Sequence, residues 1–390
     1  MSTTSPLRGA AAIAGIGMAG LGAARGFSEM EILAEAAMNA VADAGLTMAD
    51  IDGLCTCSAS ATMWAMPVAE YLGIRPAFID STMLGGSSFV AHLWPAIHAL
   101  MDGTCNAVLV CYGSTQRTGK VDRAAVGKMR QVLDPQPYET PYQPMQPISA
   151  YALAAARHMH EYGTTREQLA EVAVAAREWA RLNPLAYSRD PLTIDDVLNA
   201  RPVCDPLTVR DCCLLTDGAG AFVLMRADRA RHGPHKPTYV LGNATEVWHR
   251  QISSMDDLTV TAASASGRRA FEMAGVGVRD VDLACLYDAF TINVILFLED
   301  LGFCPKGEGG RFVSGGALAP GGSLAVNTNG GGLSFGHPGM YGVFLIIEAV
   351  TQLRGDAGGR QRPVDIALVH GNGATLSSQS TAILGSAAAL

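Results

Sequence analysis

An α/β fold of two βαβαβ halves, with helices covering mixed sheets, follows from three features of this sequence. Short apolar runs, 11–16 and 107–112 in the first half and 281–286 and 366–369 in the second, with Asp282 their only charged residue, have the length and composition of buried strands. Helix signals alternate with them, which is the order that places helices on both faces of a sheet. The chain has 390 residues, 49% of them hydrophobic and 16% charged, enough to fill roughly two domain-sized cores.

Taken in order, the first strand leads to Ser28 and Glu31, which have the Ser-x-x-Glu spacing of a capping box. The helix behind them puts Ile32, Leu33, Ala36, Ala37, Ala40, Val41 and Ala44 on one face, and Gly45 stops it. Gly15-Ile-Gly-Met-Ala-Gly20 matches the spacing of a dinucleotide-binding turn. That fingerprint needs the helix to open directly on the glycines, whereas here the cap lies beyond the last of them, so no nicotinamide or flavin is expected. The strand at 107–112 runs into an irregular stretch, about 113–147, with prolines at 135, 137, 141, 144 and 147. Long irregular insertions in compact domains are often functional. Helices near 149–162 and 165–182 follow it. The chain divides into a first half, 1–235, which includes a loop domain at about 113–200, and a second half, 236–390.

Composition excludes several classes. A formal net charge of −8 argues against broad binding of a nucleic-acid backbone. The stretch 10–22 is broken by glycine and too short to span a bilayer, and the first residues do not read as a signal peptide, so neither membrane insertion nor export is expected. Nine cysteines without paired metal spacing fit a reducing, cytoplasmic setting and no metal site. Cys55-Thr-Cys57 and Cys212-Cys213 read as packed thiols.

The chemistry concentrates in Asn329-Gly-Gly-Gly-Leu-Ser-Phe-Gly-His-Pro-Gly-Met-Tyr-Gly342, which an apolar helix follows at 343–353. Glycine at this density lets backbone N–H groups approach a ligand that side chains would hold off. A His and a Tyr on such a turn, at the mouth of a helix, are acid–base equipment beside an oxyanion site. The turn resembles the Gly-His-Pro-x-Gly turn of the thiolase superfamily. Leu286-Tyr-Asp-Ala-Phe-Thr291 resembles that family's Asn-Glu-Ala-Phe segment, and His370-Gly-Asn-Gly373, at the end of a strand, stands where thiolases have Cys-x-Gly. Ile13-Ala-Gly-Ile-Gly17 and Thr216-Asp-Gly-Ala-Gly220 extend the likeness over nearly the whole chain. The resemblance implies the thiolase fold, a homodimer joined along edge strands of the N-terminal half, and a loop domain covering an acyl-CoA pocket.

The departures from the family are as informative. Thiolases carry a nucleophilic Cys at a helix N-terminus, and the matching segment here is Met83-Leu-Gly-Gly-Ser-Ser-Phe89, with Gly85 at the nucleophile's position. The second Cys is replaced by His370. A β-hydroxy thioester needs no nucleophile: removing its hydroxyl proton breaks the carbon–carbon bond directly, giving a carbonyl compound and a thioester enolate. That reaction needs a base at the hydroxyl, donors at the thioester oxygen and an acid for the enolate carbon. Tyr287, His337, Tyr341 and His370 are the expected catalytic groups. Gly85, Gly86, Ser87, Asp288 and Gly339 are the expected substrate and oxyanion positions, with Asp288 orienting Tyr287 or capping the helix after it. These substitutions resemble those of the thiolase-like aldolases of bacterial steroid side-chain degradation, which implies a 17-hydroxy steroid CoA thioester as substrate and a small zinc-ribbon and OB-fold protein as partner. CoA enters as part of the substrate, and no cofactor is expected on this chain. A covalent thiolase or acyltransferase, or a non-catalytic acyl-CoA-binding homologue, is the alternative.

Overall fold

The computed structural model describes residues 5–119 and 136–390. β1 (Ala11–Gly22) runs on past the expected six residues, and Ser28 and Glu31 form the capping box that opens α1 (Glu29–Asp43). The glycines of the 15–20 run lie within this strand. A Cβ at Gly15 or Gly17 would overlap the Ala40 or Ala36 carbonyl, so the missing side chains let α1 lie directly on the strand.

β2 (Gly53–Thr56), β3 (Phe78–Asp80), α2 (Ser88–Ala91) and β4 (Ala107–Ser114) come next. α3 (Ile148–Tyr162), α4 (Arg166–Arg181) and a two-stranded ribbon, β5 (Pro202–Cys204) with β6 (Leu207–Thr208), precede β7 (Asp217–Arg226). The expected irregular stretch at 113–147 falls partly outside the described residues. The second half contains β8 (Thr238–Val247), α5 (Ala263–Ala274), β9 (Leu283–Leu286), α6 (Thr291–Asp300), β10 (Ala325–Val326), α7 (Gly342–Arg354), β11 (Ile366–Gly373) and β12 (Ser378–Gly385).

Apart from the ribbon, the strands form one sheet in the order β10-β9-β11-β12-β8-β1-β7-β4-β2-β3. The halves share a pattern: three parallel strands, β3-β2-β4 or β10-β9-β11, continued by an antiparallel pair, β7-β1 or β12-β8. Within the sheet the halves are paired through Ala12 opposite Tyr239 and Ile13 opposite Thr238. The short seam lets the halves fold over a central layer. A Cβ at Gly220 of β7 would touch Val343 and Ile347 of α7, and one at Gly371 of β11 would touch Ser87 and Val90. α1 covers β1, β7 and β4 from outside, and α5 covers β8 and β12. Helices therefore lie outside both half-sheets and between them. α7 is buried along its length except at Thr351, and its sequence is accordingly mostly apolar, with Glu348, Gln352 and Arg354 buried among hydrogen-bond partners.

The strand expected at 366–369 runs on: His370–Gly373 forms the end of β11, with His370 opposite Thr381 and Gly373 opposite Ser378. Gly and Asn are poor strand formers, so cross-strand pairing rather than propensity extends it.

Candidate active site

The Gly-rich turn between β10 and α7 is wound over residues 331–335 into a single π turn, and Asp288 holds it there. The carboxylate accepts the Gly332 N–H at 2.6 Å and the Leu333 N–H at 3.3 Å. Gly331 has a φ of 63°, and a Cβ on it would overlap that carboxylate. Asp288 thus neither caps α6 nor bonds Tyr287: Phe290 is the cap residue and provides no side-chain bond. Burial pushes the Asp288 carboxyl up to about 7 despite its two N–H donors.

Tyr287 leaves β9 and reaches across to the turn. Its hydroxyl lies 2.9 Å from His337 Nε2 and accepts the Tyr341 N–H at 3.1 Å. The Tyr287 and His337 rings meet edge to face at 5.6 Å. His337 is fixed through its backbone N–H, which donates to Thr216 Oγ1 at 2.9 Å. With the ring proton on Nδ1, Nε2 accepts from the phenol. Burial pushes the imidazole down to about 4, so it is neutral at physiological pH. Burial pushes the Tyr287 phenol well above its usual value, and the neighbouring Cys213 adds to the effect. Tyr341 is also the residue at which α7 starts, so the Tyr287 oxygen sits at the positive end of a 13-residue buried helix.

Gly86 closes the third side. A Cβ there would overlap Cε2, Cζ and Oη of Tyr287. The position facing the phenol is therefore 86, one residue beyond the Gly85 expected from sequence. Gly85, at φ 79°, instead abuts the 373–374 backbone, where a Cβ would come 2.9 Å from the Ala374 nitrogen. The Ser87 hydroxyl turns away, donating to the Leu84 carbonyl at 3.1 Å beside Ser378 Oγ at 2.7 Å. Gly339, at φ 91°, is pressed against Gln116 and Tyr112, whose hydroxyl donates to the Pro338 carbonyl at 2.5 Å.

The structure thus brings together Tyr287, His337, Gly86 and the backbone of Tyr341. The Tyr341 hydroxyl points elsewhere, donating to Asn329 Oδ1 at 3.0 Å, and its ring stacks 6.2 Å from His337. His370 is not part of the group. Its neighbour Gly371 faces Ser87, so strand alternation sends the His370 ring to the other side, against Phe297 of α6 at 4.6 Å. Both its nitrogens are occupied, Nδ1 by Thr381 Oγ1 and Nε2 by Gln379 Oε1, each at 2.9 Å.

Several contributors carry no spacing signal. Asn329 and Thr216 stand inside motifs quoted above, but nothing in their spacing shows that one holds Tyr341 and the other His337. Residues 213–216 run along the turn: Cys213 N–H donates to Ala289 O at 2.8 Å and Leu214 N–H to Gly332 O at 2.9 Å. Cys213 is partly exposed while Tyr287 and Asp288 are buried.

A layered α/β fold that sets a Gly-His-Pro turn against two central helices defines a thiolase-like protein. The comparisons agree. A family model described as thiolase C-terminal domain-like matches residues 244–386. An acetyl-CoA acetyltransferase of Methanothermobacter thermautotrophicus is 35% identical over 93% of this chain and 96% of its own. A 17-hydroxy-3-oxo-4-pregnene-20-carboxyl-CoA lyase of Mycobacterium tuberculosis is 34% identical over 90% of this chain and 92% of its own. The solved Ltp2-ChsH2(DUF35) aldolase superposes with a TM-score of 0.88 at 34% identity, covering 97% of this chain and 98% of that one. The chain belongs to the thiolase superfamily.

The two buried imidazoles make the fold sensitive to acid. His337 and His370 are both held near 4, below their unfolded value of roughly 6.5. The stability they lend is complete above ~6.5 and is lost as pH falls through about 4, up to roughly 3 kcal/mol each. Asp288 acts oppositely, lending stability at low pH that is lost as pH rises through about 7. Comparing wild type with His370→Asn cancels Asp288. Denaturant midpoints at pH 7 and pH 4.5 should fall further in wild type than in the variant, and equal falls would count against a neutral buried His370.

Proposed function

We propose that this enzyme is a carbon–carbon lyase that cleaves a β-hydroxyacyl-CoA by a retro-aldol reaction. The observation that carries the reading is the replacement at Gly86: the space a nucleophile's side chain would need holds the Tyr287 phenol, already bonded to a neutral His337. The Tyr287 oxygen takes the proton of the substrate β-hydroxyl as its own proton passes to His337 Nε2. The Cα–Cβ bond breaks, the β-carbon becomes a carbonyl and the electron pair moves into the thioester as an enolate. The imidazolium so formed, with the N-terminus of α7, stabilises the enolate oxygen. The proton then returns through Tyr287 to the enolate carbon, so no net proton is gained or lost. CoA takes part only as a portion of the substrate.

The substrate class proposed is a 17-hydroxy steroid side-chain CoA thioester, cleaved to a 17-ketosteroid and a short acyl-CoA. Its support is the lyase and aldolase relatives, together with the Tyr that replaces the thiolase Asn. The assembly proposed is a homodimer joined along β3, which ends the sheet and exposes Ile79, with a small zinc-ribbon and OB-fold subunit; its support is that the solved Ltp2-ChsH2(DUF35) aldolase is named for two components. A monomeric mass at micromolar concentration would count against the dimer. Full turnover by the isolated chain, unchanged on adding such a subunit, would count against the partner.

A second reading, a covalent acyltransferase, is favoured by the acetyltransferase relative and by the thiol of Cys213 near Tyr287. Burial pushes that thiol far above its usual value, which is the wrong direction for a nucleophile. Cys213→Ala should keep near wild-type cleavage of a β-hydroxyacyl-CoA. Abolished turnover in that variant, with cleavage of a β-ketoacyl-CoA by wild type in the presence of free CoA, would reinstate the covalent mechanism.

A further inference from the structure

On the side of Gly85, away from the Gly-rich turn, residues 373–377 form a turn with two strained positions. Ala374 and Leu376 both have positive φ, 54° and 62°, without being glycine. Such strain persists only where the surroundings over-determine it, and it gathers at functional sites. Here three side chains from three separate parts of the chain each hold a carbonyl of the turn. The Tyr151 hydroxyl of α3 donates to Ala374 O at 2.9 Å, His249 Nε2 lies 3.0 Å from Thr375 O, and Gln379 Nε2 of β12 donates to Leu376 O at 3.0 Å. The turn has no freedom toward the site either, because Gly85 packs against the Ala374 nitrogen and Ser378 Oγ donates to Leu84 O at 2.7 Å.

The holders are themselves held. Asn372 Nδ2 donates to the Tyr151 oxygen at 2.8 Å, and Gln379 Nε2 donates to Asn372 Oδ1 at 2.9 Å. His370 then orients Gln379 and is oriented by Thr381, which lies 2.9 Å from Ser266 Oγ of α5. Every side chain of this chain is buried. Tyr151 comes from α3, and its ring stacks on Phe290 at 4.3 Å. Phe290 lies three residues beyond Tyr287.

We propose that Tyr151 is a positioning residue: through Ala374 it clamps the 373–377 turn, and so sets where Gly85 and Gly86 stand against the Tyr287 oxygen. His370 belongs to the same device, which accounts for a buried imidazole outside the reacting group. The inference rests on the aldolase reading for its effect on rate, but not for the clamp itself. Buried networks of this kind fix geometry only while every member is satisfied. Displacing a reacting group by about 1 Å can cost roughly 10²-fold in rate.

The test is Tyr151→Phe, which keeps the stack on Phe290 and removes the two hydrogen bonds, with Tyr151→Leu as the variant that also loses the stack. Two quantities are read for each, with the partner subunit present: backbone hydrogen–deuterium exchange of 372–378, and kcat and KM on a β-hydroxyacyl-CoA. Tyr151→Phe should speed exchange in that segment and lower kcat by roughly 10- to 100-fold with KM near wild type. Tyr151→Leu should do both more strongly. Unchanged exchange in Tyr151→Phe overturns the clamp whatever the reaction proves to be. Faster exchange with unchanged kcat overturns its part in catalysis. A wild-type protein inactive on every β-hydroxyacyl-CoA overturns the aldolase reading instead, and that is seen before any substitution is made.

Discussion

Tyr287→Phe should lose about 10²–10⁴-fold in kcat, the usual effect of removing a general acid–base group. The ring stays, so its edge-to-face contact with His337 and its place opposite Gly86 are kept. Only the oxygen goes, and with it the acceptor of the Tyr341 N–H and the donor to His337 Nε2. Leaving that N–H without a partner costs about 1–3 kcal/mol, so the thermal midpoint should drop modestly while turnover nearly vanishes. Tyr341→Phe provides the contrast. Its hydroxyl is engaged by Asn329 Oδ1 and faces away from the Tyr287–His337 pair, so its loss should change kcat by less than about tenfold. A larger loss at 341 than at 287, measured on one substrate, would reverse the assignment of the base.

The contrast also marks where sequence stops being informative. The alternation of strands with helices, the apolar strands at 11–16, 107–112, 281–286 and 366–369, the capping box at Ser28 and the apolar helix at 343–353 are legible, because each rests on local patterning: apolar runs and cap spacing. Tyr287 and His337 could be named because they stand in motifs. That the two hydroxyls of Tyr287 and Tyr341 point in different directions was not legible, since it depends on a residue across the turn, Asn329, taking one of them. His370 looked like a candidate acid because it replaces a thiolase Cys. Its strand runs four residues beyond the apolar run at 366–369, and the pleat turns its ring to the opposite face, where two partners occupy it. Asp288 failed for a similar reason: its spacing to the next helix is that of a cap, but the stronger demand came from two N–H groups of a π turn more than forty residues away in sequence. The glycines at 15 and 17 have the spacing of a phosphate-binding turn, which the late helix cap argues against, and in the structure they pack against α1.

The second large effect is expected at Gly86. Gly86→Ala adds a single methyl group, but it must occupy space now filled by ring atoms of Tyr287. A side chain tip can often give way. This one is buried, packed against His337 and Tyr341, and bonded to both, so moving it breaks the contacts that make it a base. Overpacking of this kind costs about 1–3 kcal/mol, and displacement of the oxygen should lower kcat by about 10²-fold or more. Combining it with Tyr287→Asn, which puts the thiolase residue back, tests whether 86 and 287 compete for one space. The double variant should recover most of the stability that Gly86→Ala lost, giving a coupling energy of about 1–3 kcal/mol in a double-mutant cycle, but none of the cleavage activity. Additive effects on stability would mean that the two positions do not compete. The phenol would then not occupy the space of the lost nucleophile, and the structural basis for preferring a lyase to a thiolase would fail with it.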